Sequence, residues 1–279
     1  MSRPGGPVRR EGMKRILVTG GTGVLGRRLV PRLAGRADVQ VLTRGDGAVE
    51  GATMVRGDLE TGAGLPAALD GVDVIVHAAS AGFDRRRPDR DVGATRRLLE
   101  AVSGTPHLVY ISIVGVDAIP LGYFRAKLAT ERLVEESGLP WTILRTTQFH
   151  DLVLMALSVL AKAPVAVVPR GIQVQSVDTG EVADRLLELA LGEPAGRVPD
   201  MGGPRVEGLD DLMRTYLTAV RRRRPVLRLP LPGRTAAAYR AGRHLTPANA
   251  TGVRGLTEEL LSRVGPDGTL EPAYDLRRS

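Results

Sequence analysis

Tyr123 and Lys127 stand four residues apart in the segment Gly122-Tyr123-Phe124-Arg125-Ala126-Lys127. On a helix this spacing puts both side chains on one face, one turn apart. An ammonium beside a phenol favours the phenolate and draws the phenol down from its usual pKa of about 10. A phenol tuned in this way passes a proton to or from a substrate oxygen near neutral pH. Ser112, eleven residues earlier, ends an apolar run and offers a hydroxyl to hydrogen-bond the same oxygen. Taken alone, Y-x-x-x-K recurs by chance. The structural alternative is that Tyr123 packs while Lys127 does no more than hold a ribose hydroxyl.

A second motif supplies the context. Residues 14–29 read KRILVTGGTGVLGRRL, an apolar strand running into a glycine-rich turn that opens a helix. Gly20 lets the chain turn off the strand, Gly23 lets backbone approach a pyrophosphate, and Gly26 lets the helix pack closely. Thr22 in the turn and the first helical turn, with Val24 and Leu25, aim unpaired N–H groups and a positive dipole end at the anion. A dinucleotide is the implied ligand, and its nicotinamide would carry the redox chemistry.

Which dinucleotide is read at the tip of the next strand, Leu42-Thr43-Arg44-Gly45-Asp46. An acid there binds both ribose hydroxyls and repels a 2′-phosphate, whereas an arginine pairs with that phosphate. Arg44, helped by the Thr43 hydroxyl, favours NADP(H) over NAD(H). The alternative is an exposed turn arginine with Asp46 on the ribose. Asp58 and Leu59 occupy the next loop, where Asp58 either holds the adenine edge or caps a helix. In His77-Ala78-Ala79-Ser80 the small Ala78 and Ala79 let backbone run close to the adenosine, and His77 reads as a core-facing strand residue without chemistry.

The elements that must position these groups alternate. Strands are expected over 39–43, 53–56, 72–77, 108–112 and 141–145, with helices over 24–33, 64–69, 89–102 and 122–137. Strict alternation with short connections predicts an α/β fold of Rossmann-like type: a doubly wound parallel sheet with helices on both faces. Past Phe149 the alternation loosens into helices near 150–161, 180–191, 208–221 and 234–243 and short strands near 165–168 and 172–177. The expected division is a disordered tail (1–13, with Met13 an alternative start), a dinucleotide-binding domain (14–148) and a smaller substrate-side lobe (149–279). Phe149 and His150, with Leu154 and Met155, are expected to line a largely apolar substrate pocket.

Composition narrows the field. The 279 residues contain no cysteine, which excludes disulfides and a cysteine nucleophile and fits a reducing cytoplasm. Four histidines at no ligand spacing argue against a metal centre. The net charge of +8 is nearly all arginine, including Arg85-Arg86-Arg87 and the run at 221–224, yet no aromatic platform or helix-turn-helix accompanies it. No nucleic-acid or membrane partner is expected; the apolar stretch 152–168 is broken by Lys162 and Pro164. A small-molecule substrate is the expected partner, and a homodimer is possible.

Together TGGTGVLG, Asp58, the HAAS loop, Ser112, Y-x-x-x-K and Trp141-Thr142-Ile143-Leu144-Arg145 resemble the short-chain dehydrogenase/reductase superfamily, in its atypical NmrA-like branch. The likeness spans about residues 14–191. It implies Tyr123 as acid/base, Lys127 on the nicotinamide ribose, Ser112 as substrate orienter, and 146–150 closing over nicotinamide and substrate. The gap of eleven between Ser112 and Tyr123 is tight for the family, and some atypical members lack turnover. The leading expectation is an NADPH-dependent oxidoreductase; a coenzyme-binding redox sensor and a nucleotide-sugar epimerase or dehydratase are the alternatives.

Overall fold

The computed structural model describes residues 12–45, 47–80 and 89–271. Asp46, Arg85, Arg86, Arg87 and most of the expected tail lie outside the described residues. In chain order the elements are β1 (Arg15–Thr19), α1 (Val24–Leu33), β2 (Asp38–Thr43), β3 (Thr53–Arg56), α2 (Leu65–Leu69), β4 (Val74–His77), α3 (Arg90–Glu100), β5 (His107–Ile113), α4 (Gly122–Glu135) and β6 (Trp141–Thr146). There follow α5 (His150–Leu160), β7 (Ala166–Pro169), β8 (Gln173–Val174), α6 (Thr179–Leu191), β9 (Gly196–Arg197), β10 (Glu207–Gly208), α7 (Leu209–Ala219), β11 (Val226–Leu229), α8 (Arg234–Arg240) and α9 (Leu256–Arg263).

The chain forms two compact units. The first takes Met1–Ile111, Ala126–Leu144 and Ala183–Val198; the second takes Ser112–Arg125, Arg145–Val182 and Pro199–Ser279. The sequence reading places one cut after residue 148, but the units interleave. Connections leaving the ends of β5 and β6 group with later residues, and 183–198 return to the sheet because β9 pairs with β6.

In the first unit the sheet runs β3-β2-β1-β4-β5-β6-β9, with β1 paired in parallel to β2 on one side and to β4 on the other. The chain winds outward from β1 in both directions, which makes the carboxyl ends of β1 and β4 the switch point where ligands bind. Strand alternation sends Leu17, Leu42, Ile75, Leu108 and Ile143 to one face, where Leu65, Leu69, Leu98 and Val134 of α2, α3 and α4 cover them. Ile16, Val18, Val41 and Val76 are equally buried and point the other way. Right-handed crossovers put α1 and α6 on that side, and Arg32 of α1 meets Asp184 of α6 at 2.6 Å.

The second unit has its own core. Val153, Leu154 and Leu157 of α5 pack with Leu212, Met213 and Leu217 of α7, Leu256 and Leu260 of α9, and Ala166 and Val168 of β7. Two small ladders complete it: β7 with β11, parallel, and β8 with β10, antiparallel. The sequence reading finds α7 and α8 but misses α9 and the pairing of β7 with β11, because residues about sixty apart meet there without a local signal.

Candidate functional site

The glycines shape a cradle whose reasons are visible atom by atom. Gly20 sits at φ 72°, in the left-handed region that disfavours side chains, and a Cβ on it would lie 2.7 Å from the carbonyl oxygen of Ala78 and the nitrogen of Ala79. A Cβ on Gly26 would lie 2.3 Å from the Gly20 carbonyl oxygen and 2.4 Å from the Gly21 Cα. Gly26 therefore seats α1 against the turn itself, a closer reason than the helix-to-sheet packing expected from sequence. Gly23 is the N-cap of α1, with no capping side chain and no acid in the first turn. Its N–H closes the loop onto the Gly20 carbonyl at 3.0 Å. The helix thus begins without a capping side chain or an acid, a start that leaves its first-turn N–H groups open to an anion.

Sequence reasoning passes over Gly21. A Cβ there would meet Val41 at 2.7 Å, so the turn also lies flat on β2. A second turn side chain folds away: Arg27 donates to the Thr22 carbonyl at 2.8 Å.

At the ends of β2 and β3 the expected residues do different work from one another. Arg44 is exposed and lines a depression of about 400 Å³ together with Arg56, Gly57, Asp58 and Thr61. Thr43 is committed to its own turn: its hydroxyl donates to the Gly45 carbonyl at 3.1 Å and takes the Gly45 N–H at 3.2 Å. Asp58 organises its loop by accepting the Glu60 N–H at 2.8 Å, and Leu59 packs on the apolar cluster. Arg56 was missed by sequence reasoning. Its place one residue before Gly57 at a strand end is the signal that could have found it.

Beside the cradle, a chain of hydrogen bonds fixes the Ala78–Ala79 loop. The Ala79 N–H donates to the Thr19 hydroxyl at 3.3 Å, and that hydroxyl is 2.7 Å from His77 Nδ1. On the far side His77 Nε2 is 2.9 Å from the Thr95 hydroxyl, which donates to the Asp91 carbonyl at 2.8 Å. The neutral ring with its proton on Nε2 satisfies every member. Burial, then the positive field of Lys127, lowers the His77 pKa to about 4, with Asp91 opposing. His77 is structural, as the sequence reading has it.

A depressed histidine pKa favours folding of the neutral form, so its contribution to stability is complete above about 6.5 and is lost as pH falls towards 4. About 3 kcal/mol should disappear over that window. Thermal melts at both ends of the window check it: His77→Gln should show a markedly smaller loss than the parent protein, and equal losses would refute the assignment.

Lys127 is 4% exposed, with its ammonium 5.0 Å from the centroid of the Tyr110 ring, which stacks on His77. Burial pushes its pKa down, while Asp91 and Glu131 pull it back up. Glu131 is itself fully buried and paired with Arg197 of β9 at 3.1 Å. A buried ammonium keeps its charge at a cost unless polar groups replace the water it has lost.

The remaining expected residues lie in the second unit. Ser112 is buried and its Oγ has no hydrogen-bond partner among the described residues. Tyr123 is half-buried, edge-on to Phe124 at 6.2 Å, in the first turn of α4. The short connection between them is ordered: Gly115 takes φ 87°, where a Cβ would be 2.3 Å from the Arg243 carbonyl oxygen, and Arg145 holds Asp117 at 3.0 Å.

Phe149 is half-buried as the N-cap of α5, but His150 differs from expectation. His150 is buried, with Nδ1 2.9 Å from the Ser176 hydroxyl and Nε2 3.0 Å from the Arg254 carbonyl, so both ring nitrogens are engaged in holding loops. Leu154 belongs to the core and Met155 to the exposed face of α5. Thr147 Oγ1 and Gln148 Oε1, by contrast, are buried acceptors without partners among the described residues. They follow directly on β6, within the 146–150 segment that the family resemblance points to, as Ser112 lies near the end of β5.

Comparison with known proteins bears on the family and the fold. The chain is 34% identical over 140 residues to a (4-alkanoyl-5-oxo-2,5-dihydrofuran-3-yl)methyl phosphate reductase of Streptomyces griseus, a match covering 48% of each protein. It is 26% identical over 178 residues to quinone oxidoreductase 2 of Escherichia coli, covering 60% of this chain and 58% of that one. The chain thus spans about half the length of these relatives. Its fold superposes on an NADPH-dependent quinone oxidoreductase from Escherichia coli complexed with NADPH, with a TM-score of 0.73 at 18% identity over 88% of this chain and 98% of that one. The family model described as NAD(P)H-binding matches residues 20–190, from the first glycine of the cradle through α6. The protein is a member of the NAD(P)H-binding family.

Proposed function

We propose that the protein is an oxidoreductase that uses NADPH to reduce a small organic substrate. The observation that carries this reading is Lys127, a buried ammonium over the Tyr110 ring, with Tyr123 one turn earlier on α4. The nicotinamide of the coenzyme supplies hydride when bound. Tyr123 gives the substrate oxygen its proton, Lys127 favours the phenolate left behind, and Ser112 holds the same oxygen through its unpartnered hydroxyl. Gly20, Gly23 and Gly26 hold the pyrophosphate against the first turn of α1. The names of the relatives, a reductase and a quinone oxidoreductase, support the reductive direction.

Preference for NADPH is read from Arg44, whose guanidinium borders the depression at the ends of β2 and β3. A charge-assisted pair with a 2′-phosphate contributes about 2 kcal/mol. Arg44→Asp should therefore weaken NADPH binding by roughly thirtyfold and leave NADH binding within roughly twofold. Calorimetric titration of both coenzymes checks this, and unchanged NADPH affinity would remove the preference. The function itself is tested by following nicotinamide absorbance with NADPH and a panel of quinones and carbonyl compounds. Tight coenzyme binding without oxidation by any member of the panel would favour a sensor instead.

A further inference from the structure

The second unit carries all of the large apolar side chains that stand exposed among the described residues. Most fall in two stretches. On α5, Leu152, Met155 and Val159 follow one another at i, i+3 and i+7 and face solvent, Val159 at 57% exposure. The opposite stripe, Val153, Leu154 and Leu157, is core. A helix apolar on both sides ordinarily has both sides covered. The second stretch is the small parallel ladder, in which Val167 of β7 is directly opposite Leu227 of β11, 40% and 48% exposed, with Leu229 at 41% two residues on.

Charge distinguishes what could cover this surface. Residues 152–170 hold Lys162 and Arg170 and no acid. Residues 221–240 hold seven arginines and no acid, beginning with the exposed run at 221–224 that leads into β11, and of the seven Arg228 is paired with Asp210 of α7 at 3.4 Å. Arg222 ties the stretches together by donating to the carbonyl of Ala161, just past the end of α5, at 3.3 Å. Pairing of this face with a second copy would bring two arginine runs into opposition. An acidic protein partner would meet a patch without the aromatic anchors typical of protein interfaces. Aliphatic side chains bordered by arginines match instead the boundary between acyl chains and anionic headgroups.

We propose that α5 and the β7–β11 ladder form a docking surface for an anionic lipid bilayer, on which the protein lies peripherally. No helix among the described residues is long and apolar enough to cross a membrane, so the surface binds a leaflet without spanning it. The expectation of no membrane partner follows from a 152–168 stretch too interrupted to span a bilayer, and the exposed stripe on α5 revises it to peripheral binding. This proposal is independent of the coenzyme and of turnover.

Co-sedimentation of the full chain with vesicles of phosphatidylcholine, alone or with one part in three phosphatidylglycerol, tests it. Binding should be at least roughly tenfold stronger to the anionic vesicles and should fall as salt rises. The pairs Val159→Asn with Leu227→Asn, and Arg223→Glu with Arg224→Glu, should each lower binding roughly tenfold or more. All four positions are exposed, and unchanged melting temperatures would show that the variants fold. Absence of binding overturns the proposal. So does binding that the Val159 and Leu227 changes leave intact, which would be charge adsorption alone. Sedimentation velocity showing a dimer that those two changes dissociate, without vesicle binding, would assign the face to a second copy and equally overturn it.

Discussion

Gly26→Ala abolishes measurable dinucleotide binding, as the first expected result of altering the cradle. The added methyl would sit 2.3 Å from the Gly20 carbonyl oxygen and 2.4 Å from the Gly21 Cα, both backbone atoms that cannot rotate away. Relief requires α1 to move off the turn, and its first-turn N–H groups then no longer converge on one point. Overpacking of this kind costs about 1–3 kcal/mol of stability. The loss of binding should be much larger, because an anion site depends on several donors aimed together. Calorimetry with NADPH and NADH and a thermal melt separate the two effects. Coenzyme affinity within roughly threefold of the parent would show that the glycine turn does not hold the pyrophosphate.

Tyr123→Phe and Lys127→Met are the second pair of changes with large expected effects. Loss of a positioned acid or base lowers kcat by roughly a hundred- to ten-thousand-fold. Tyr123→Phe should do so while coenzyme affinity stays constant, because in the proposed mechanism the phenol acts on the substrate and not on the cradle. Lys127→Met should lower turnover and weaken coenzyme binding together.

Its effect on stability has the opposite sign. Folding depresses the Lys127 pKa chiefly by desolvating the ammonium, so near neutral pH the charged side chain costs stability that would return only as pH rises towards its unfolded value. Without coenzyme, Lys127→Met should therefore melt at or above the parent's temperature. A large drop in melting temperature would make Lys127 a structural residue. Unchanged turnover in Tyr123→Phe, with a substrate on which the parent is active, would remove the proton-transfer role.

Much of the dinucleotide half was legible because its signals are local. The turn at 20–26 writes its own constraints: only glycine tolerates φ 72° at Gly20 beside the Ala78–Ala79 backbone, and only glycine fits where α1 meets the Gly20 carbonyl. The alternation that predicts the sheet likewise depends on residues within a few positions of one another. His77 was legible as a core residue, though not the hydroxyls of Thr19 and Thr95 that hold it neutral.

Contacts between distant residues decided the rest. His150 looked like a pocket residue until Ser176 and Arg254 claimed its ring, and those partners lie 26 and 104 positions away. The burial of Lys127 over Tyr110, the pairing of β7 with β11, and the exposure of the outer face of α5 depend on the packing of whole elements. By itself the sequence determined the coenzyme class and the fold that carries it, because backbone sterics and strand periodicity act over short spans. Only the tertiary structure decided which histidine, lysine and leucine are buried. Burial sets the cost of a charge and the reach of a hydrogen bond, and it is a property of the assembled core, not of neighbours in the chain.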